Sequence, residues 1–171
     1  LGRATKTIKY LEDCHKGYIF EVLWGVKTST GDLEGEIEET ETVNLNKTTV
    51  NAIIKKFLGD YNQVPHKFSS KKINGKRAYD LARKKKFFRL KKQKKKIFSL
   101  NVIDFISPSK TRFFVKCSSG TYIRSLAVDI SKKLMTIGHL VELIRTEVGE
   151  FSINDSLSLK KFEESWKFIK T

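Results

Sequence analysis

The sequence predicts an α+β fold in which a mixed, mainly antiparallel sheet is flanked by helices. Apolar residues alternate with a period of two in several segments and recur at helical spacing in others. These segments do not follow the regular strand–helix alternation that a parallel sheet requires. The chain has 171 residues, of which 39% are hydrophobic, so it is about the size of one domain and can bury a core.

The first third of the chain is predicted to contain two helices and two strands. Residues 3–11 are expected to form a short helix, and residues 16–25 form a strand with apolar residues on one face. The polar stretch 28–39 contains two glycines, which predicts a loop followed by a short strand. Residues 48–58 carry one apolar stripe at helical spacing, and Gly59 ends that helix.

The middle of the chain is predicted to contain a basic helix and a hairpin. Gln63-Val-Pro65 predicts an extended turn, because the residue before a proline avoids the helical region. Asn74-Gly75 is a turn signal before a short basic helix over residues 76–83. Two strands, 97–106 and 111–117, are joined by residues typical of a hairpin. Three further elements are predicted: a helix over 122–134, a strand over 141–148, and a last helix capped by Asn154 or Ser158.

The segment Cys117-Ser-Ser-Gly-Thr-Tyr-Ile-Arg-Ser-Leu126 joins a predicted strand to a predicted helix. Gly120 and Thr121 stand where the chain must turn and the helix must begin. The turn presents Tyr122 and Arg124 at a helix N-terminus, whose unpaired N–H groups and positive dipole end favour an anion. Arg124 is therefore a candidate for holding an anion. The alternative is an ordinary arginine on a helix surface.

The positive charge is concentrated in the last two thirds of the chain. The net charge is +15, yet residues 1–60 carry 8 Lys and Arg against 10 Asp and Glu. Residues 67–96 contain 15 basic residues, one acid and four aromatic residues. This balance favours a polyanion partner, and basic residues interleaved with aromatic ones favour single-stranded or looped RNA. The alternatives are a solvated lysine-rich loop and, less favoured without a clean amphipathic helix, a membrane surface.

The sequence gives no indication of a metal site, a disulfide framework or a membrane span. Cys14 and Cys117 lie far apart, which fits a reducing compartment, and we expect a cytoplasmic protein. The three histidines are scattered without metal-ligand spacing. No apolar run approaches the length needed to cross a bilayer.

Four segments together resemble a known family. The residues of each segment are similar to a family motif, and the four follow one another in the family's order and at its separations. The segments are Gly2-Arg-Ala-Thr-Lys6 with Lys16-Gly-Tyr18; Thr28-Ser-Thr-Gly-Asp32 with Gly35-Glu36; Gln63-Val-Pro65 with residues 72–83; and residues 117–126 with His139-Leu-Val-Glu-Leu-Ile-Arg145 and Val148-Gly149. They are similar to the family's Gly-x-x-Thr-Lys and Lys-x-Tyr, its Thr-Asp-Thr-x-Asp and Gly-Glu, its RNA-gripping segment, and its helix-start segment. Residues 1 to about 157 thus resemble the tRNA pseudouridine(55) synthases of the TruB type.

The resemblance implies an isomerase with a fold of the pseudouridine synthase type. Such an enzyme breaks the N-glycosidic bond of one uridine in the tRNA T-loop, rotates the base and rejoins it through carbon, with neither cofactor nor metal. The nucleotide must first be flipped out of its stack. By position, Tyr18 would stack on the uracil and serve in proton transfer, and Tyr122 would line the pocket. Arg124 would pair with the catalytic carboxylate, and Leu143 would pack against the base. Without the resemblance, Tyr18 and Leu143 would be ordinary core residues.

The resemblance also implies how the chain holds RNA. It predicts a partial catalytic domain over residues 1–157 with a basic RNA-gripping insertion at about 64–96. A C-terminal helix over 158–171 follows, without a separate extra RNA-binding domain. We expect a monomer that binds tRNA at its T-loop. The expected RNA-binding residues are all basic: Lys6, Lys67, Lys71, Lys72, Lys76, Arg77 and Arg83.

Three departures from the family pattern affect the prediction. The run Lys84–Lys96 is more basic than usual in the family, so we expect tighter or less selective binding of RNA. Pro65-His66-Lys67-Phe68 stands where the family often has Pro-Pro. More seriously, the family's catalytic aspartate lies in a Gly-x-Leu-Asp-Pro-type segment just before Gly-x-x-Thr-Lys, a position that would precede Leu1. None of the seven aspartates stands in that context: Asp13, Asp32, Asp60, Asp80, Asp104, Asp129 and Asp155.

Because this chemistry needs a positioned carboxylate, we expect the chain as given to be the C-terminal portion of a synthase and to be inactive alone. Early strands of the sheet would be missing, leaving an exposed edge. The alternative is a non-catalytic basic module that binds tRNA or assists RNA folding.

Overall fold

A six-stranded sheet forms the centre of the computed structural model, which describes residues 2–69, 71–73, 75–84 and 86–169. Its strands and those of two small hairpins are, in chain order, β1 (Lys16–Trp24), β2 (Val26–Thr28), β3 (Ile37–Thr40), β4 (Gly59–Gln63), β5 (Lys72–Ile73), β6 (Lys76–Arg77), β7 (Gln93–Ser107), β8 (Lys110–Cys117), β9 (Gly138–Val148) and β10 (Phe151–Ser152). The α-helices are α1 (Lys47–Ile54), α2 (Ala78–Arg83), α3 (Ile123–Lys133) and α4 (Leu159–Ile169). The 3₁₀ segments are Gly2–Leu11, Lys55–Phe57 and Ile153–Asp155.

The strands of the central sheet follow the order β10-β9-β1-β8-β7-β4. Every neighbouring pair in this sheet is antiparallel. β1 is therefore central, between β8 and β9, while β2–β3 and β5–β6 form separate two-stranded hairpins. The predicted α+β fold with a mainly antiparallel sheet and flanking helices is confirmed.

The core lies between one face of the sheet and helices α1 and α3. On β1, Phe20, Val22 and Trp24 alternate along one face and are each at most 1% exposed, as the sequence predicts. The ring of Phe20 stacks on Phe113 of β8 at 5.0 Å. The indole N–H of Trp24 donates a hydrogen bond of 3.0 Å to the hydroxyl of Thr111. Each such buried apolar side chain stabilises the fold by roughly 2 kcal/mol.

The structure differs from the prediction around residue 58. Helix α1 ends at Ile54, because the chain tightens into the 3₁₀ turn Lys55–Phe57. Gly59, with φ of +84°, then begins β4, a strand that the sequence analysis missed. Its residues, Gly-Asp-Tyr-Asn-Gln, show no apolar alternation, and they pair with the lysine-rich start of β7. β7 begins at Gln93, so residues 93–96, the end of the insertion predicted at about 64–96, pair within the central sheet.

The predicted basic helix over 76–83 is shorter than expected. Lys76 and Arg77 pair with β5 as strand β6, so α2 begins only at Ala78. Of the predicted turn Asn74-Gly75, Asn74 lies outside the described residues, while Gly75 has φ of +79° between the two strands.

The C-terminal helix is present as α4. The hydroxyl of Ser158 accepts a hydrogen bond from the Lys161 N–H at 3.3 Å, so Ser158 caps the helix as one of the two predicted candidates. Lys170 and Thr171, the last residues of the helix predicted over 158–171, lie outside the described part of the chain.

The side chain of Gln63 ties the edge of the sheet to the beginning of α3. It is fully buried. Its Oε1 accepts a hydrogen bond from the Tyr122 N–H at 2.8 Å, and its Nε2 donates one to the Tyr122 carbonyl at 2.9 Å. Tyr122 is the residue immediately before α3, with extended backbone angles and no side-chain cap. Gln63 therefore fixes where α3 starts.

We expect Gln63→Met to destabilise the protein by about 1–3 kcal/mol, because the Tyr122 N–H loses its acceptor. The Tyr122 carbonyl loses the bond from Gln63 but keeps the one from the Leu126 N–H. The measurement is the free energy of unfolding from urea denaturation. Asn62→Met, at the exposed neighbouring position on β4, is the matched control and should change stability by less than about 0.5 kcal/mol. Equal stabilities of the two variants would contradict the assigned role of Gln63.

Candidate active site

An ion pair between Arg124 and Asp32 joins the first turn of α3 to the loop between β2 and β3. Arg124 Nη2 lies 2.5 Å from Asp32 Oδ2, and Arg124 Nη1 donates to the carbonyl of Thr30 at 3.3 Å. The side chains are 29% and 15% exposed, so the pair is partly removed from water. The carboxyl of Asp32 also accepts hydrogen bonds from the Thr30 hydroxyl at 2.5 Å and the Glu34 N–H at 3.2 Å. Every one of these contacts restricts the orientation of the guanidinium.

The loop that holds Arg124 depends on a glycine. Gly31 has φ of +72°, and a Cβ at this position would lie 3.3 Å from both Arg124 Cγ and His66 Nε2. A side chain at this position would therefore crowd the site and strain the backbone. The loop is anchored to the sheet because the Leu140 N–H on β9 donates to the Gly31 carbonyl at 3.0 Å. The Thr28 hydroxyl closes the loop by donating to the Asp32 carbonyl at 2.7 Å.

His66 lies against the same loop as a neutral imidazole. Its Nδ1 accepts a hydrogen bond from the Phe68 N–H at 3.2 Å, so the ring proton of the neutral form is on Nε2, the atom that faces Gly31. Burial first, and then the charge of Arg124, lower the pKa of His66 to about 4. The ring also stacks on Phe68 with centroids 6.0 Å apart.

Tyr18 lies in a different place, a cleft of about 730 Å³. The cleft is lined by Tyr18, Lys16 and Arg145 and by the turn at residues 119–121. Tyr18 is the cross-strand partner of Arg145. Burial raises the pKa of the Tyr18 phenol, so its O–H keeps its proton at neutral pH.

Leu143 shares a sheet face with Tyr18. Paired residues of an antiparallel ladder point to the same side, and Leu143 pairs with Phe20, two residues after Tyr18. Phe20 is fully buried, whereas Leu143 is 46% exposed. This face is therefore covered at the centre of the sheet and open at Leu143.

The structure brings two of the four predicted catalytic residues onto one face and places the other two at the start of α3. Tyr18 and Leu143 share the face of β1 and β9, while Tyr122 and Arg124 stand at the helix start. Within the described ranges, Arg124 does not line the cleft of Tyr18; the segment of residues 121–124 joins the two places.

Two residues of the site, Asp32 and His66, were assigned no role from the sequence. Asp32 ends the motif Thr28-Ser-Thr-Gly-Asp32, and this threonine-rich motif was the feature of the sequence that could have indicated its role. His66 stood out only as a departure from the family pattern.

The predicted RNA-binding residues lie mostly in one region. Lys72, Lys76 and Arg77 line a cavity of about 480 Å³ around Tyr79. The guanidinium carbons of Arg77 and Arg83 lie 5.8 and 5.7 Å from the Tyr79 ring centroid. Lys71 is partly buried, and the exposed Lys67 lines a different cavity together with His66. Lys6 is exposed on the separate 3₁₀ segment Gly2–Leu11.

No helix in the described part of the chain has both the length and the apolar character to cross a membrane. Among these residues, no three His, Cys, Asp or Glu side chains gather as a potential metal site.

Comparison with known protein families gives two matches that together span the sequence. Residues 1–123 match the TruB family pseudouridylate synthase N-terminal domain. Residues 124–171 match the tRNA pseudouridylate synthase B C-terminal domain.

Curated relatives carry the name tRNA pseudouridine synthase B. The chain is 41% identical over 166 residues to the relative from Brucella ovis, covering 97% of this chain and 51% of that protein. It is 40% identical over 163 residues to that of Caulobacter vibrioides, with 95% and 53% covered. For Rickettsia rickettsii the identity is 38% over 168 residues, with 98% and 49% covered. The chain spans about half the length of the curated relatives it matches.

Solved structures share the fold. A Cbf5-Nop10-Gar1 complex aligns with a TM-score of 0.71 at 22% identity, covering 99% of this chain and 41% of the matched chain. An H/ACA RNP bound to a substrate RNA containing 2'-deoxyuridine aligns with a TM-score of 0.66 at 20% identity, covering 100% and 41%. With the family match over residues 1–123 and identities of about 40% over nearly the whole chain, these results lead to one conclusion. The chain belongs to the TruB family of pseudouridylate synthases.

Proposed function

We propose that the protein converts a uridine in the T-loop of tRNA to pseudouridine, and that these 171 residues supply the face for the base and the arginine that holds the catalytic carboxylate. The observation that carries the proposal is the ion pair of Arg124 with Asp32 at the start of α3. This pair connects two of the segments that resemble the family, residues 28–32 and 117–126. Family membership and the relatives' names support the same reaction.

Arg124 is suited to receive a second carboxylate. A guanidinium carries five N–H donors, and the contacts with Asp32 and Thr30 orient the group through Nη2 and Nη1. A fixed positive charge keeps the pKa of a nearby carboxyl low and the carboxylate ionised. We place the catalytic aspartate there, on a segment other than these 171 residues, and the chain alone is inactive in this proposal.

The face that carries Tyr18 and Leu143 is suited to a flipped uracil. Leu143 is open to solvent, and Tyr18 adds an aromatic ring whose O–H keeps its proton. Stacking of a base on an aromatic ring contributes about 1–3 kcal/mol. This stacking offsets a cost of a few kcal/mol for taking the nucleotide out of the helix. The protonated phenol is also available for proton transfer during the rotation of the base.

Basic residues supply the affinity for tRNA in this proposal. The exposed cations of residues 67–83 lie on the β5–β6 hairpin, α2 and the segment before them. Contacts with phosphates are salt-sensitive and largely independent of sequence. Tyr79, which lies near two guanidinium groups, adds an aromatic surface to this region.

A second candidate function is a non-catalytic module that binds tRNA or assists its folding. The net charge of +15 favours it. The nucleotide sequence upstream of the Leu1 codon separates the two candidates. An in-frame run encoding a Leu-Asp-Pro-like segment supports the enzyme, and a start signal at this point supports the module.

We expect Arg124→Ala in the full-length protein to lower the rate of pseudouridine formation at least about 100-fold, since the catalytic carboxylate loses its partner. Binding of tRNA should stay within a few-fold of wild type. Arg124→Lys should also be severely impaired, because an ammonium cannot replace the planar fork. Pseudouridine is measured by chromatography of digested tRNA, with Lys133→Ala at the exposed end of α3 as the control. Turnover that survives in Arg124→Ala would refute the role.

The stability of the protein should fall as the pH falls from about 6.5 to about 4, in part through His66. The folded pKa of about 4 lies below the ordinary value of 6.5. The unfolded chain therefore binds the extra proton across this window, and the contribution of His66 to stability is complete only above it. The slope is at most about 1.4 kcal/mol for each pH unit.

His66→Asn keeps an acceptor for the Phe68 N–H but cannot titrate, so it should show a smaller loss of stability over the same window. Urea denaturation between pH 4.5 and 7 measures the difference, and NMR titration of the ring gives the pKa directly. A pKa near 6.5 for His66 would contradict the buried, neutral imidazole.

A further inference from the structure

Two ammonium groups from different strands converge on the turn between β8 and α3. Lys95 of β7 donates from Nζ to the Ser119 carbonyl at 2.9 Å. Lys16 of β1 donates from Nζ to the Ser119 hydroxyl at 3.1 Å. A Cβ on Gly120 would lie 2.8 Å from Lys95 Nζ, and Gly120 has φ of +68°. The turn therefore leaves space that the Lys95 ammonium occupies.

These cations gather without a compensating acid. Burial lowers the pKa of the partly buried Lys95, and the charges of Lys71 and Lys16 lower it further. Among the ion pairs of the described residues, none involves Lys16, Lys71 or Lys95. Like charges held together away from water destabilise one another, and an anion between them would relieve that cost.

The hydrogen-bonding capacity of the two ammonium groups differs. Lys16 directs its N–H groups at three acceptors, the carbonyls of Glu12 and Cys14 and the Ser119 hydroxyl, at 2.9, 3.4 and 3.1 Å. Among the residues that the structure describes, Lys95 has one acceptor, the Ser119 carbonyl. An ammonium has three donors. Lys16 is thus mainly a structural cation, and Lys95 is the one with donors to offer a ligand.

The turn is also one wall of the Tyr18 cleft. Ser119, Gly120 and Thr121 line that cleft together with Tyr18 and Arg145. Its volume of about 730 Å³ is large enough for a nucleotide, because small-molecule pockets measure about 300–1,000 Å³. A nucleotide whose base lies against Tyr18 would therefore bring its backbone close to this turn.

We propose that Lys95, with Lys71 and the turn at residues 118–121, binds one phosphodiester of the RNA next to the nucleotide that enters the Tyr18 cleft. The inference rests on the proposed function, since it takes the cleft to hold a uridine of an RNA. It assigns a role to Lys95 within the lysine-rich residues 84–96 and distinguishes it from its neighbours. Lys94 and Lys96, one residue away on the same strand, are exposed.

Binding of a T-arm stem-loop RNA, measured at several KCl concentrations, tests the inference. Lys95→Gln should weaken binding about three- to tenfold at low salt. It should also reduce the slope of log affinity against log salt by about 0.7–0.9, the value for one phosphate. Lys94→Gln is the matched control and should change affinity less than about twofold. Lys95→Arg keeps the charge and should restore the wild-type slope. An unchanged slope in Lys95→Gln, with RNA still bound, would overturn the inference.

A titration with inorganic phosphate separates this inference from the proposed function. The amide signals of Ser119 and Gly120 and the Nζ signal of Lys95 should shift saturably in NMR spectra of the wild-type chain, with chloride at equal ionic strength as the control. The amide shifts should be lost in Lys95→Gln. Phosphate binding without any RNA binding would leave the site intact and count against the proposed function. Shifts in phosphate that match those in chloride would overturn the inference. Phosphate binding would also overturn it if the slope of log RNA affinity against log salt is unchanged in Lys95→Gln.

Discussion

The ion pair between Arg124 and Asp32 is the interaction on which the candidate site depends. It joins two segments 92 positions apart, the loop after β2 and the first turn of α3. Both side chains are partly removed from water, so losing either partner would leave a charge without compensation. The bound guanidinium also cannot rotate freely, because Thr30 and Asp32 contact different nitrogens. Orientation is what an arginine needs if it is to hold a second carboxylate in one geometry.

The rest of the fold positions this pair relative to the sheet. β1 lies at the centre, so its residues have neighbours on β8 and β9, and Tyr18 faces Arg145. Gln63 fixes the start of α3 from the opposite edge. The loop that holds Asp32 is hydrogen-bonded to Leu140 on β9. The segments that hold the arginine and the open face of Tyr18 and Leu143 are thus bonded to one sheet, as the proposed binding of a flipped base requires.

Periodicity in the sequence predicted the elements with one buried face. β1 and α3 were found because Phe20, Val22 and Trp24 alternate and the apolar residues of α3 recur at helical spacing. β4 was missed because its residues are polar and because its partner, β7, lies far away in the sequence. The motifs that carry the family resemblance predicted a role for Arg124. Its ion pair with Asp32 is a tertiary contact, which the spacing of residues in the sequence does not reveal. The environment of His66 likewise depends on packing against a loop that is far away in sequence.

The most direct test of the account is the mobility of the Arg124 guanidinium, observed by ¹⁵N NMR in the wild-type chain and in Asp32→Asn. A guanidinium held by Asp32 and Thr30 should show separate Nη signals and slow rotation about its C–N bonds in the wild type. When the carboxylate of Asp32 is replaced by an amide, the rotation should become fast and the Nη signals should average. Averaged, rapidly rotating Nη groups in the wild-type chain would contradict the central claim that this loop orients the arginine.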